Sequence, residues 1–85
     1  MAQEAATKPQ KSFDIIVNKK HVPVSDHSMT GLEIKQAAIS AGVAIELSFQ
    51  LAEIKNKKRK IIGDSDTVGV KEGSEFVATS GDDNS

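Results

Sequence analysis

Thr30-Gly31-Leu32-Glu33-Ile34-Lys35-Gln36-Ala37-Ala38-Ile39-Ser40-Ala41-Gly42 decides the fold, because it is the one stretch that reads only as a helix. Thr30 fits the N-cap, and Glu33, three residues on, completes a reciprocal capping box. Met29, before the cap, and Ile34, at the fourth helical position, are placed as a hydrophobic staple. Gly42 supplies the left-handed conformation that ends a helix after Ala41. Ile34, Ala37, Ala38 and Ala41 fall at i, i+3, i+4, i+7 spacing and make one apolar face. Three of the four are alanines, so the helix backbone can lie close to what it covers. A helix this short is not stable alone in water and must rest on a sheet.

Outward from the helix the pattern changes from a period of 3.6 to a period of two. Upstream, Phe13, Ile15 and Val17 alternate as a strand, Asn18-Lys19-Lys20 makes a tight turn, and Val22 and Val24 resume the alternation. Pro23 cannot donate to a ladder, which places this second strand at a sheet edge. Residues 25–28 read as a loop into the helix. Downstream, Leu47, Phe49 and Leu51 alternate as a third strand, and residues 55–60 read as a charged connection. Ile61-Ile62 gives a short fourth strand stopped by Gly63. Residues 64–73 read as a long polar loop pinned by Val68 and Val70, and residues 75–79 as the last strand. The order ββαβββ predicts an α+β roll: a mixed sheet, one helix on one face, and first and last strands as parallel neighbours in its middle. The domain spans residues 12–79, between a disordered arm over residues 1–11 and a flexible acidic tail over residues 80–85.

Composition narrows the function. Eighty-five residues with 38% apolar content, three Phe and neither Trp nor Tyr leave little core to spare for a deep cofactor pocket. A chain of this size buries only about 60% of its unfolded surface. There is no Cys, so no disulfide or thiolate zinc site, and no apolar run long enough for a membrane span. A net charge of −1 argues against a general nucleic-acid or membrane-surface binder. These features predict a cytoplasmic monomer without a cofactor that is not an enzyme.

The Phe13-Asp14-Ile15-Ile16-Val17-Asn18 strand, the Thr30-Gly31-Leu32-Glu33 helix start, and Asp66-Thr67-Val68 followed by Glu72-Gly73-Ser74-Glu75-Phe76 together resemble the ubiquitin-like β-grasp fold. More narrowly, they look like the bacterial multiubiquitin domain family, over about Phe13 to Thr79. The resemblance implies a protein modifier or tag in a bacterial ubiquitin-like conjugation system. Its partners would then be activating and conjugating enzymes and a peptidase. The alternative is a non-covalent protein–protein interaction module with a docking partner.

Candidate sites follow from that resemblance, each beside a plainer reading. Gly81 is the only glycine beyond the last strand and suits the slim tail that an activating enzyme must thread. A peptidase removing residues 82–85 would expose it; otherwise it is an ordinary tail residue. Ubiquitin recruits partners through its exposed sheet face, where the corresponding residues here are Ile16, Ser48, Gln50 and Val77. Scattered exposed apolar residues are, however, normal. Leu32 and Ile39 form a second apolar pair on the helix, expected to pack into the core, by rotation of the helix or under residues 43–45, with a partner surface as the alternative. Lys55-Asn56-Lys57-Lys58-Arg59-Lys60 is basic but lacks the aromatics of a nucleic-acid site, and reads as a solvated turn. Asp64-Ser65-Asp66-Thr67-Val68-Gly69 with Glu75 approaches a calcium loop but puts Val68 at the fifth ligand position. His21 and His27 have no third ligand for a metal, and no nucleophile–base pair can be assembled.

Overall fold

The computed structural model describes residues 12–80. The predicted arm over residues 1–11 and the tail from Gly81 onward lie outside the described residues. The elements run β1 (Phe13–Val17), β2 (Lys20–Val24), β3 (Ser28–Thr30), α1 (Gly31–Ser40), β4 (Gln50–Lys55), β5 (Lys58–Ile62), β6 (Thr67–Gly69) and β7 (Glu75–Thr79). Five strands form one sheet in the order β2-β1-β7-β4-β5, and β3 pairs with β6 in a separate two-stranded sheet. As expected, β1 and β7 are parallel neighbours in the middle, and β2, with Pro23, is an edge.

The helix starts and stops where its sequence says. Thr30 Oγ1 accepts from the Glu33 N–H at 3.2 Å, and Glu33 Oε1 accepts from the Thr30 N–H at 2.9 Å. The remaining first-turn donors are taken by the following loop: Gly31 N–H donates to the Asp66 carbonyl and Leu32 N–H to the Asp64 carbonyl. At the other end Gly42, at φ +95°, donates to the Ile39 carbonyl, and Val43 donates to the Ala38 carbonyl. That pair of bonds is the Schellman closure.

The helix face differs from the predicted one. Its buried residues are Gly31, Ile34, Lys35 and Ala38; Ala37 is half-buried and Ala41 exposed. Leu32 is half-buried outside the core cluster and Ile39 is 39% exposed, so the expected core packing of that pair fails for Ile39. Two residues take the inward space instead. Gly31 packs backbone to backbone on Gly63. Lys35, 3% exposed, sends its Nζ to the Leu47 carbonyl at 2.7 Å, the Phe49 carbonyl at 2.8 Å and Asp64 Oδ1 at 2.7 Å. Beneath them Ile15, Val17, Val22, Ile34, Leu51 and Phe76 are fully enclosed.

Two further expectations are corrected. The third strand begins at Gln50, because residues 47–49 form the turn on which Lys35 is anchored. The basic run is not a turn but strand: Lys58–Ile62 pairs with β4 from Lys55↔Lys58 to Leu51↔Ile62, and only Asn56 and Lys57 form the loop. This loop and the Asn18–Lys19 loop share one chemistry. Both central residues of each have positive φ (Asn18 53°, Lys19 69°, Asn56 54°, Lys57 65°), the type I′ geometry that matches hairpin twist. Asparagine tolerates that region; lysine does so at a steric cost. Lys57→Gly is therefore expected to stabilise the protein by about 1 kcal/mol, read as a higher urea midpoint. An unchanged or lower midpoint would show that the turn is not under strain.

Candidate protein-docking surface

The helix and core occupy one side of the five-stranded sheet, and the opposite side faces outward. On β1 the inward residues are Ile15 and Val17, so Asp14 and Ile16 face out; on β7 Phe76 and Ala78 face in and Val77 out. The cross-strand register assembles the outer face in two rows. One runs Ile16, Glu75, Ile54, Arg59, and the next runs Val77, Ala52, Ile61. Ile16 and Val77 are therefore diagonal neighbours on adjacent strands, with Glu75 directly opposite Ile16. Asn18 fixes the seam between these strands. Its side-chain amide donates to the Ala78 carbonyl at 3.1 Å and accepts from the Ala78 N–H at 2.8 Å, continuing the ladder past the turn.

Of the four outer-face residues read from sequence, Ile16 and Val77 lie on this face and are half-buried. Gln50 joins it at the exposed start of β4, opposite Thr79. Ser48 does not, because it sits in the turn before β4. Gly81 lies outside the described residues. Sequence reasoning missed Ile54 and Ile61, which flank Ala52, itself only 3% exposed. Their signal was available: an apolar residue three places after the inward Leu51, and the Ile61-Ile62 doublet, each place apolar side chains on both faces of a strand. Ile61 is 51% exposed. Between Ile54, Arg59, Val77 and Thr79 the face dips into a cleft of about 480 Å³.

The two histidines and the aspartates of the 64–66 loop are engaged in structure. His21 Nδ1 lies 3.4 Å from Asp14 Oδ2 at the surface. His27 stacks on Phe13, ring centroids 4.5 Å apart, with Nδ1 3.1 Å from the Val70 carbonyl. Asp64 binds Lys35, and Asp66 Oδ2 accepts from the Gly63 N–H at 2.9 Å. The near-calcium loop thus spends two of its carboxylates on holding the helix. Among the described residues no group of three or more His, Asp or Glu side chains could hold a metal, and no helix is long and apolar enough to cross a membrane.

Among the described residues, a mixed sheet with parallel central strands and one helix laid across one face define a ubiquitin-like β-grasp domain. The chain belongs to the multiubiquitin family, whose model matches residues 13–82. No curated protein and no solved structure matches it.

Proposed function

We propose that this domain is a non-covalent recognition module, a cytoplasmic monomer without catalysis of its own, that docks a protein partner on the outer sheet face. The observation that supports this best is the grouping of Ile16, Ile54, Ile61 and Val77 from four strands on the side that the helix leaves open. Glu75 and Arg59 lie among them and would give a partner orientation as well as apolar contact. Ile16→Asp together with Val77→Asp leaves every inward side chain in place. Partner affinity is expected to fall by at least about tenfold while the circular-dichroism spectrum is kept. Unchanged affinity for a partner that binds the parent chain would end this reading.

A second reading, a modifier in a bacterial ubiquitin-like conjugation system, has its own support. The family match continues beyond Thr79, the end of β7, through Gly81 to residue 82. On this reading a peptidase removes residues 82–85, and an activating enzyme adenylates the new carboxylate of Gly81. Incubation with the peptidase and activating enzyme from the same gene neighbourhood should shorten the intact mass by four residues and yield a protein adduct. A mass that never changes would dismiss it.

A further inference from the structure

We propose that the free edge of β5 takes up an acidic, extended segment of another protein as an added strand. The inference concerns the backbone rim of the sheet; it shares the Ile61 and Arg59 side chains with the docking reading above, and amide shifts at Arg59 and Ile61 as against Ile16 and Val77 tell the two apart.

The backbone argument comes from the two-residue turns. Lys55 and Lys58 close the β4–β5 hairpin, so hydrogen-bonded pairs recur at Glu53–Lys60 and Leu51–Ile62. The N–H and C=O groups of Arg59 and Ile61 then point away from β4. β5 is the last strand of the sheet, and no backbone bond among the described residues engages either residue from the open side. The same count on β2 leaves His21 and Pro23 facing outward, and Pro23 has no N–H. One edge is blunted by proline; the other offers a complete alternation of donors and acceptors.

The side chains say what would fit there. Lys55, Lys57, Lys58, Arg59 and Lys60 are all exposed. The two ion pairs among the described residues, His21–Asp14 and Lys35–Asp64, involve none of them. Lys55 lies directly opposite Lys58, an unfavourable juxtaposition that an arriving carboxylate would relieve. Lysines alone could serve only to keep strands off an edge, but here they flank Ile61, 51% exposed in the middle of the strand, and its outward N–H and C=O are not blunted as Pro23 blunts β2. A cleft of about 630 Å³ also runs between β5 and β6, lined by Lys55, Lys60, Ile61, Ile62 and Val68 together with the carboxylates Glu53 and Asp66, so the lysines along the strand, and not the cleft floor, are what would meet acidic side chains. An added strand would lay alternate side chains against Ile61 and the Arg59 stem on the outer face. Its intervening side chains would meet Lys58 and Lys60. Apolar residues alternating with acidic ones satisfy both sides. A second copy of β5 does not: centred on Lys60 it would set that lysine against itself.

The probe is an acetylated peptide of about six residues alternating valine and glutamate, a length matched to a short strand. It is titrated into the isotope-labelled full chain. The amides of Arg59 and Ile61 should shift most and gain about tenfold or more in hydrogen-exchange protection, and affinity should fall as salt rises. Lys58→Glu with Lys60→Glu should weaken binding by about tenfold or more. Ile61→Pro, which copies the blunting seen at Pro23, should do the same. A peptide of equal charge, N-methylated at the residues that would bond the edge, should not bind. The proposal is overturned by no binding, by equal binding of the N-methylated peptide, or by shifts centred on His21 or on Ile16 and Val77. Protection of Arg59 and Ile61 that rises with protein concentration before peptide is added would also overturn it, by assigning the edge to a second copy.

Discussion

Gly31→Ala is expected to destabilise the protein by about 2–3 kcal/mol and to lower its thermal midpoint by on the order of 10 °C. Helix propensity alone points the other way, since alanine is favoured over glycine within a helix by roughly 1 kcal/mol. The sign is decided by what a methyl group would meet. A Cβ on Gly31 would stand 2.3 Å from the carbonyl oxygen of Gly63, 3.0 Å from its carbonyl carbon and 3.2 Å from Ile62 Cγ2. The first two are backbone atoms in a turn that cannot easily retreat. Asp66 N–H donates to that same Gly63 oxygen at 3.0 Å, and Asp66 Oδ2 accepts from the Gly63 N–H. The turn in turn caps the helix through its Asp64 and Asp66 carbonyls, so pushing it away strips the first-turn donors of their acceptors. Gly63→Ala is the control. Its Cβ meets only the exposed Asp66 carboxylate, Oδ2 at 3.0 Å, so at most the one bond from the Gly63 N–H to that oxygen is disturbed while the backbone contact is untouched, and the loss should stay within about 1 kcal/mol. Urea unfolding of both variants tests the difference. Equal midpoints for Gly31→Ala and the parent would mean that the helix is not seated on this turn.

How far the sequence could carry the structure depends on how many residues each element had to show its period. The helix was legible because its signals were redundant: cap, box, staple and terminal glycine all agree within residues 29–42. Phe13, Ile15, Val17 and then Val22 and Val24 gave a hairpin for the same reason. The β3–β6 pair was not legible. Its strands are three residues each, with one inward apolar side chain apiece, Met29 opposite Val68, and a single residue cannot display a period. The basic run was misread because an edge strand needs no covered face, so Lys58, Arg59 and Lys60 carry no alternation while the backbone pairs normally. Leu47 and Phe49 imitated a strand by spacing alone: Phe49 packs against the core from a turn whose carbonyls bind Lys35, while Leu47 is 43% exposed. The candidate surface was half legible. Ile16 and Val77 followed from strand parity, whereas Ile54 and Ile61 needed a register that only long-range pairing fixes. Placing Ser48 on that surface carried forward the misplaced start of β4.

Lys35→Met is expected to cost about 2–4 kcal/mol, although the substitute has nearly the same length and suits a helix better than most residues. Nothing in the sequence marks Lys35 as special. It is one of eleven cations in the Lys and Arg count, on a helix whose apolar stripe was read one residue away. In the structure its ammonium joins three separate segments: the helix that carries it, the turn at Leu47 and Phe49 that feeds β4, and the loop at Asp64. A thioether would fill the space but leave two part-buried carbonyls without their donor. Unmade bonds of that kind cost about 1–3 kcal/mol each when the group cannot reach water. The Asp64 carboxylate matters less, because it is 58% exposed and regains water when its partner leaves; Asp64→Asn should cost no more than about 1 kcal/mol. The two variants separate an ion pair from a carbonyl clamp. If the ion pair were the main contribution, both would lower the urea midpoint alike; if the clamp is, Lys35→Met falls well below Asp64→Asn. Lys35→Met should also loosen the start of β4, read as faster amide exchange at Gln50 and Leu51 than in the parent. Those residues head the strand that supplies Ala52 and Ile54 to the outer face, so the buried cation on one side of the sheet sets the strand from which the other side is built.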